Sequence, residues 1–144
     1  LIGVNSMIVS KSGGSSGIGF AIPSNKVKRV VTQLIRYGKV IQPGIGILAV
    51  SDYIARQAGV RGVVVYKVLP NTPASKAGMV GLSKNIFGKV QLGDVIIGID
   101  RRSVKSFAEF SRVISKKPVG SKITIHIVRG GKRYNIQMRV ANVG

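Results

Sequence analysis

The chain has 144 residues, of which 44% are hydrophobic and 19% are charged, so it can bury the core of one domain, or of a small domain plus part of another. It contains no cysteine and a single histidine, which excludes disulfides, thiolate metal sites and any site built from two histidines. No apolar run approaches the roughly 18–20 residues that cross a bilayer. We therefore expect no membrane span, no metal and no cofactor.

The charge is strongly positive. There are 23 Lys and Arg residues against 4 acidic ones, for a formal net charge of +19, and such an excess favours nucleic acid or anionic lipid as a partner. The basic residues, however, lie in twos and threes along the whole chain, without a long basic block and without interleaved aromatic residues. This pattern predicts a generally basic surface and no specific nucleic-acid site.

The first forty residues predict two strands and a helix. Leu1–Val9 and Gly17–Pro23 are apolar runs separated by a Gly/Ser-rich connection, as in an antiparallel pair. Ser24 precedes an amphipathic helix that ends near Gly38. Its apolar stripe consists of Val27, Val30, Val31, Leu34 and Ile35. We expect residues 1–40 to be the end of one domain and residues 41–144 to be a second. The start within a strand, with neither an initiator Met nor a signal peptide, suggests a piece of a longer protein.

After Pro43 the chain changes to short strands with turn signals, which predicts a mainly β fold with some α (α+β). The predicted strands are Ile45–Val50, Gly62–Leu69, Val95–Ile99, Lys122–Arg129 and Lys132–Val140. The predicted helices are a short one after Ser51, a brief one at Ala74–Ala77, and one from Ser106 to Lys116. The segment Met79–Leu92 is predicted to be a long loop, and Gly130-Gly131 a hairpin turn.

Several segments carry a family resemblance. Val68–Gly78 reads V-L-P-N-T-P-A-S-K-A-G and resembles the "V-x-P-x-S/T-P-A-x-x-A-G" segment of PDZ domains in HtrA/Deg serine endopeptidases. Leu92–Ile96 resembles their "L/A-G-D-V-I" turn, and the loop Met79–Gln91 resembles the chloroplast and cyanobacterial branch. Upstream, Ile2–Asn5 and Gly17–Ser24 resemble the last strands of the protease domain. The resemblance implies a PDZ-type β-sandwich or partial barrel with two helices, preceded by a β-hairpin and helix from the end of a trypsin-like β-barrel.

The catalytic residues of that family have no counterpart in this chain. The family places its nucleophile in a "G-N-S-G-G-P" segment before the "I-G-V-N" strand, with the catalytic His and Asp further upstream. His126 lies mid-strand in I-H-I, and no Ser/His/Asp set can be assembled around it. We expect no catalytic residue here and no cleavage by this chain alone, and the triad of a longer protein stays an open question.

A PDZ groove binds an extended peptide as an added strand, with its carboxylate held by a loop of backbone N–H groups. The segment Gly44-Ile45-Gly46-Ile47 matches the family's "x-Φ-G-Φ" carboxylate loop. The resemblance implies that Ile45, Gly46 and Ile47 donate N–H groups, and that Ile47 and Ala49 continue as the augmented strand. Glycine suits such a loop because the backbone approaches the ligand closely and can adopt positive φ. Alternatively, Gly44 and Gly46 merely bend the chain at the domain entrance.

The opposite wall of the groove should be the last helix. Phe110 and Ile114 are four residues apart and are the candidates for lining an apolar pocket, with Ile47 as its floor. Ordinary core packing is the alternative for both. The nearby Lys116 and Lys117 would favour acidic residues further along the peptide.

The leading functional prediction is substrate recognition or regulation in an HtrA/Deg serine endopeptidase of protein quality control, through hydrophobic C-termini of peptides or unfolded proteins. The alternatives are a stand-alone PDZ adaptor without protease activity and a basic polyanion-binding protein. The resemblance further implies a trimer-based homo-oligomer located in the periplasm or the chloroplast thylakoid lumen.

Overall fold

A computed structural model describes residues 3–8 and 19–144. The predictions for residues 1–2 and 9–18, which include the Gly/Ser connection, lie outside these ranges. The chain divides into two compact units, residues 1–41 and 42–144. None of the helices in the described ranges is long and apolar enough to cross a membrane.

The first unit contains the predicted hairpin and helix. Strand β1 (Gly3–Ile8) pairs antiparallel with β2 (Gly19–Pro23), and α1 (Ser24–Tyr37) follows directly. Gly38 then adopts a φ of 67° and donates its N–H to the carbonyl of Leu34 at 2.9 Å, which ends the helix in the left-handed conformation that glycine permits. These elements are confirmed for the residues described.

The second unit is a small β-rich domain. Its strands are β3 (Pro43–Gly44), β4 (Ile47–Ala49), β5 (Val63–Val68), β6 (Ser83–Lys84), β7 (Val90–Gln91), β8 (Val95–Ile99), β9 (Arg102–Ser103), β10 (Lys122–Arg129), β11 (Lys132–Arg139) and β12 (Ala141–Asn142). Its helices are α2 (Asp52–Gln57), α3 (Pro73–Lys76) and α4 (Phe107–Ser115). The main sheet has six strands, in the order β11-β10-β8-β5-β4 with β9 beside β8. Short pairs join β3 to β12 and β6 to β7. The predicted mainly β fold with helices is confirmed, and β4 forms one edge of the main sheet.

The main core cluster lies on one face of this sheet, and a second, smaller cluster forms around Ala55, Val64 and Val95. In β10 alternate residues point inward, as the period of two in its sequence predicts, and Ile123, Ile125 and Ile127 are all buried. Helix α4 packs beside β3 and β8 and adds two buried residues, Phe110 and Ile114, to the same cluster. The helix is thereby held next to the segment that leads into β4.

The segment Met79–Leu92 is more ordered than its prediction as a loop, because β6 and β7 form a hairpin within it. The side chain of Asn85 closes the turn by accepting the N–H groups of Phe87 and Lys89, both at 2.9 Å. The turn is formed by Asn85 together with Gly88, three residues later, which adopts a φ of 75°. The sequence analysis did not recognise this pair as a turn signal.

The "L-G-D" segment is explained by an ion pair between a buried Asp94 and a partly exposed Arg129. The side chain of Asp94 is 0% exposed, and its carboxylate accepts hydrogen bonds from Arg129 Nε at 2.6 Å, Arg129 Nη2 at 2.8 Å and the N–H of Val80 at 2.9 Å. The hydrogen bond to Asp94 raises the pKa of Arg129 above its usual value. Asp94 therefore ties the start of β8 to the end of β10 and to the chain before the hairpin.

A second ion pair holds the turn after β8. Asp100, at a φ of 52°, accepts Lys117 Nζ at 2.6 Å and the N–H of Thr124 at 2.8 Å, and the bond from Lys117 is the main reason that the pKa of Asp100 is lowered. Lys117 is therefore engaged with Asp100, and its expected role toward a peptide stays a prediction. His126 places its ring nitrogens 2.7 Å from the Asp100 carbonyl and 2.6 Å from Asn135 Oδ1, which is a structural use of this histidine.

Candidate peptide-binding site

The loop Gly44–Ile47 is held by its carbonyl groups. The carbonyl of Ile45 accepts the N–H of Ala74 at 2.9 Å, and the carbonyl of Gly46 accepts the N–H of Leu69 at 2.9 Å. Both donors belong to the "V-L-P-N-T-P-A" segment that runs from β5 into α3. That segment therefore acts as a cradle that orients the loop.

Two N–H groups of the same loop are unpaired in the part of the chain that the structure describes. Within residues 19–144 and 3–8, no acceptor takes a hydrogen bond from the N–H of Ile45 or of Gly46, although both residues are buried. Buried backbone N–H groups are paired in more than roughly 90% of cases, so two adjacent unpaired ones indicate a place where an acceptor binds. The left-handed φ of 85° at Gly46 produces this orientation and is as the sequence predicts.

Register shows that β4 has an open edge. Ile47 lies opposite Val68, and the bond from Leu69 N–H to the Gly46 carbonyl makes this a non-hydrogen-bonded pair. The N–H and carbonyl of Ile47 therefore point away from β5. Ala49 is placed in the same way, because the next N–H, that of Val50, is the one that bonds into β5 at 2.9 Å. Ile47 and Ala49 thus have backbone groups available to an added strand, whereas the backbone groups of Leu48 face β5.

The reason for glycine at position 46 differs from the one that the sequence suggested. A Cβ on Gly46 would not enter the groove, because it would collide with the Cβ and Cγ2 of Thr72. Thr72 cannot move away easily, since its Oγ1 donates to the Leu69 carbonyl at 2.7 Å and accepts the N–H of Ser75 at 3.4 Å as the N-cap of α3. Glycine is therefore needed for the fit of the loop against the cradle, and the close approach of this backbone to a ligand stays a prediction. Gly44 is similarly covered, by Val143.

The two predicted pocket residues on helix α4 are less exposed than expected. Phe110 is 3% exposed and Ile114 is 5% exposed, and both are packed in the main core. Phe107 stacks on Phe110 with ring centroids 6.0 Å apart and is 38% exposed, so it is the aromatic side chain of this helix that a ligand can reach. Ile47 and Ala49 are partly buried against the core. On α4, Phe107 is therefore accessible to a ligand, whereas Phe110 and Ile114 are occupied by core packing.

The two walls of the groove are joined by Asp52. This residue begins α2, directly after the edge strand, and its carboxylate accepts the N–H of Phe107 at 2.6 Å and the N–H of Ala108 at 3.4 Å. Ser106 caps the same helix by accepting the N–H of Glu109 at 3.2 Å. The first turn of α4 is thus bound to the end of β4 through one side chain. A negative group at a helix N-terminus also stabilises the helix dipole.

Replacing Asp52 by alanine should lower the free energy of unfolding by about 1–2 kcal/mol, the scale for losing such a helix-terminal acceptor. It should also reduce peptide affinity, because it releases α4 from β4. The matched control is Ser106→Ala, which removes a cap from the same helix but keeps the connection. Urea denaturation and fluorescence polarisation with a hydrophobic-tailed peptide measure both quantities. Equal losses of affinity in the two variants would show that Asp52 has no positioning role.

Three residues of the cradle escaped the sequence analysis as contributors to the site, namely Leu69, Thr72 and Ala74. The P-N-T-P-A motif did contain a recognisable signal, because Thr72 before Pro73 marks the capped start of a helix. Their role becomes visible only when the register of β4 and β5 is known.

A family model described as "PDZ domain" matches residues 18–140. Among curated proteins, the chain is 38% identical to Protease Do-like 1, chloroplastic, of Arabidopsis thaliana, over 96% of the chain and 31% of that protein. It is 37% identical to the periplasmic serine endoprotease DegP of Escherichia coli strain K12, over 97% of the chain and 28% of that protein. The chain thus spans less than a third of the length of these relatives.

Solved structures of HtrA-type and related serine proteases are also similar to this chain. The HtrA-type protease AlgW with decapeptide superposes with a TM-score of 0.77 at 32% identity, covering 100% of this chain and 42% of that one. The serine endoprotease from Yersinia pestis superposes with a TM-score of 0.71 at 27% identity, covering 100% of this chain and 44% of that one. The secondary structure of the chain and the position of the Gly44–Ile47 loop agree with these matches. The matches show that the chain belongs to the PDZ domain family and is homologous to the HtrA/Deg serine proteases.

Proposed function

We propose that this chain binds the free C-terminus of a hydrophobic peptide, which adds as a strand to the open edge of β4. The observation that carries the proposal concerns two buried residues, Ile45 and Gly46, whose N–H groups have no acceptor within residues 3–8 and 19–144. They come directly before the outward-facing N–H of Ile47. Three N–H groups in succession form a concavity that suits a carboxylate. The backbone of Ile47 and Ala49 then supplies hydrogen bonds to the extended peptide.

The side chains around this edge favour an apolar terminal residue. Ile47 and Ala49 form an apolar floor, and Phe107 offers an exposed ring on α4. Since Phe110 and Ile114 are almost fully buried, the terminal side chain contacts them only if α4 shifts or if the residue reaches deep into the groove. That AlgW has been solved with a decapeptide supports a peptide as the ligand.

In the full-length protein this binding would serve an HtrA/Deg serine endopeptidase in protein quality control. Matches that extend over 96% and 97% of the chain include the first unit, which supports its assignment as the end of a trypsin-like protease domain joined near residue 40 to the PDZ domain. Homologues are periplasmic or chloroplastic, which supports one of these compartments. We propose a trimer-based assembly on the same family resemblance.

A matched pair of peptides tests the carboxylate loop. Amidating the C-terminus of a hydrophobic peptide should weaken binding at least tenfold, because a hydrogen bond to a charged group contributes about 1.5–3 kcal/mol. Ala49→Pro should weaken binding of the free acid by about twofold to tenfold, the scale of one main-chain hydrogen bond, while leaving the fold intact. Leu48→Pro is its control and should unfold the edge instead, because that N–H faces β5.

Salt dependence separates this function from polyanion binding. Affinity for an apolar-tailed peptide should fall modestly as salt rises, whereas a phosphate-binding surface loses orders of magnitude. If amidation is harmless and raised salt abolishes binding, the groove is not the site and the net charge of +19 controls the interaction.

A further inference from the structure

The tip of the β6–β7 hairpin exposes two large apolar side chains next to each other. Ile86 is 93% exposed and Phe87 is 82% exposed, and Val90 and Leu92 on the same hairpin are also exposed. Single exposed apolar residues are common on soluble proteins, but adjacent ones on one projecting turn form a patch that calls for a partner.

The fold does not need these two side chains. The turn is closed by Asn85, whose N–H donates to the Lys89 carbonyl at 2.9 Å and whose side chain accepts two further N–H groups. Gly88 supplies the left-handed residue, with φ of 75°. Ile86 and Phe87 are therefore displayed by a turn that is organised without them, so little conformational freedom is lost when they bind.

The base of the hairpin is anchored. The N–H of Leu82 bonds to the Val65 carbonyl of β5 at 3.1 Å, and the N–H of Asp94 bonds to the Val80 carbonyl at 2.8 Å. A Cβ on Gly93 would collide with the carbonyls of Val80 and Gly81, so the two arms touch backbone to backbone. The hairpin thus begins at a fixed point of the sheet.

The charged residues of the hairpin itself are all basic. Lys84 and Lys89 flank Ile86 and Phe87 and are exposed, and no acidic residue occurs between Met79 and Gln91. In an anionic bilayer the phosphates lie outside the acyl chains. The apolar tip of the hairpin therefore suits the acyl chains, and the two lysines next to it suit the phosphates. A chain with a net charge of +19 is attracted to such a surface before contact.

We propose that this hairpin docks on an anionic lipid surface. Ile86 and Phe87 enter the boundary between headgroups and acyl chains, and Lys84 and Lys89 bind the phosphates. The PDZ domain is thereby placed at a membrane without spanning it, through a surface built from residues other than those of the peptide groove.

The chain contains no tryptophan, so Phe87→Trp places a single reporter at the tip. We expect its fluorescence to move to shorter wavelength with vesicles of phosphatidylcholine and phosphatidylglycerol, and to stay unchanged with phosphatidylcholine alone. Tyr53→Trp is the control, because Tyr53 is exposed on α2, outside the hairpin, and should show no shift. Binding to vesicles without a shift at position 87 means adsorption by distributed charge and overturns the proposal.

Co-sedimentation with the same vesicles measures each contribution. The double variant Ile86→Ser/Phe87→Ser should bind at least about tenfold more weakly, the scale for one large apolar side chain. Lys84→Gln and Lys89→Gln should each weaken binding by about fivefold at low salt. Unchanged binding in the double serine variant overturns the proposal. So does a shift at position 87 that grows with protein concentration in the absence of lipid, which would make a second copy of the chain the occupant.

Discussion

Replacing Arg129 by methionine is expected to lower the free energy of unfolding by about 1–3 kcal/mol, the scale for leaving a buried hydrogen-bond acceptor without its donor. The loss is large because the substitution leaves the buried carboxylate of Asp94 without its main donor. Asp94 is 0% exposed, and without Arg129 the N–H of Val80 is the one donor left to its carboxylate among the described residues. Urea denaturation followed by circular dichroism measures the change.

Lys117→Met is the matched control. It also breaks an ion pair with a 2.6 Å contact, but Asp100 is 33% exposed and can be solvated by water, so the cost should stay below about 1 kcal/mol. The double variant Arg129→Met/Asp94→Asn should recover part of the loss, because a buried amide costs less than an unpaired carboxylate. Equal costs at Arg129 and Lys117 would contradict the role assigned to burial of Asp94.

Replacing Gly46 by alanine is expected both to destabilise the domain and to abolish tight peptide binding. A left-handed φ of 85° costs a residue with a Cβ about 1–2 kcal/mol, and the new Cβ also collides with Thr72. Relief of that collision requires the loop to leave its cradle, which would turn the N–H groups of Ile45 and Gly46 away from the groove. Affinity should therefore fall by more than the loss of stability alone explains.

Gly78→Ala separates the two causes. Gly78 has a nearly equal φ of 77°, but a Cβ there meets no atom within 4 Å, so only the conformational cost remains. Gly46→Ala should thus be less stable than Gly78→Ala by at least about 1 kcal/mol, the low end for overpacking a close contact. Similar stability and similar peptide affinity in the two variants would show that the Thr72 cradle does not control the loop.

The sequence was sufficient for most of the secondary structure. The alternation of Ile123, Ile125 and Ile127 defined β10, Gly130-Gly131 defined its hairpin, and the spacing of apolar residues defined α1 and α4, because these signals are local and repeat with the period of the element. The family resemblance was likewise carried by short contiguous motifs, and the comparisons confirm it.

Features that depend on distant contacts were beyond the sequence. Whether Phe110 faces core or groove depends on how α4 is rotated against β3 and β8, and a helical spacing of four is compatible with both. The direction of the Gly46 Cβ depends on Thr72, which is 26 residues away, and the open edge of β4 depends on its pairing with β5. Periodicity determines which residues share a face of an element. Only tertiary packing determines what that face meets.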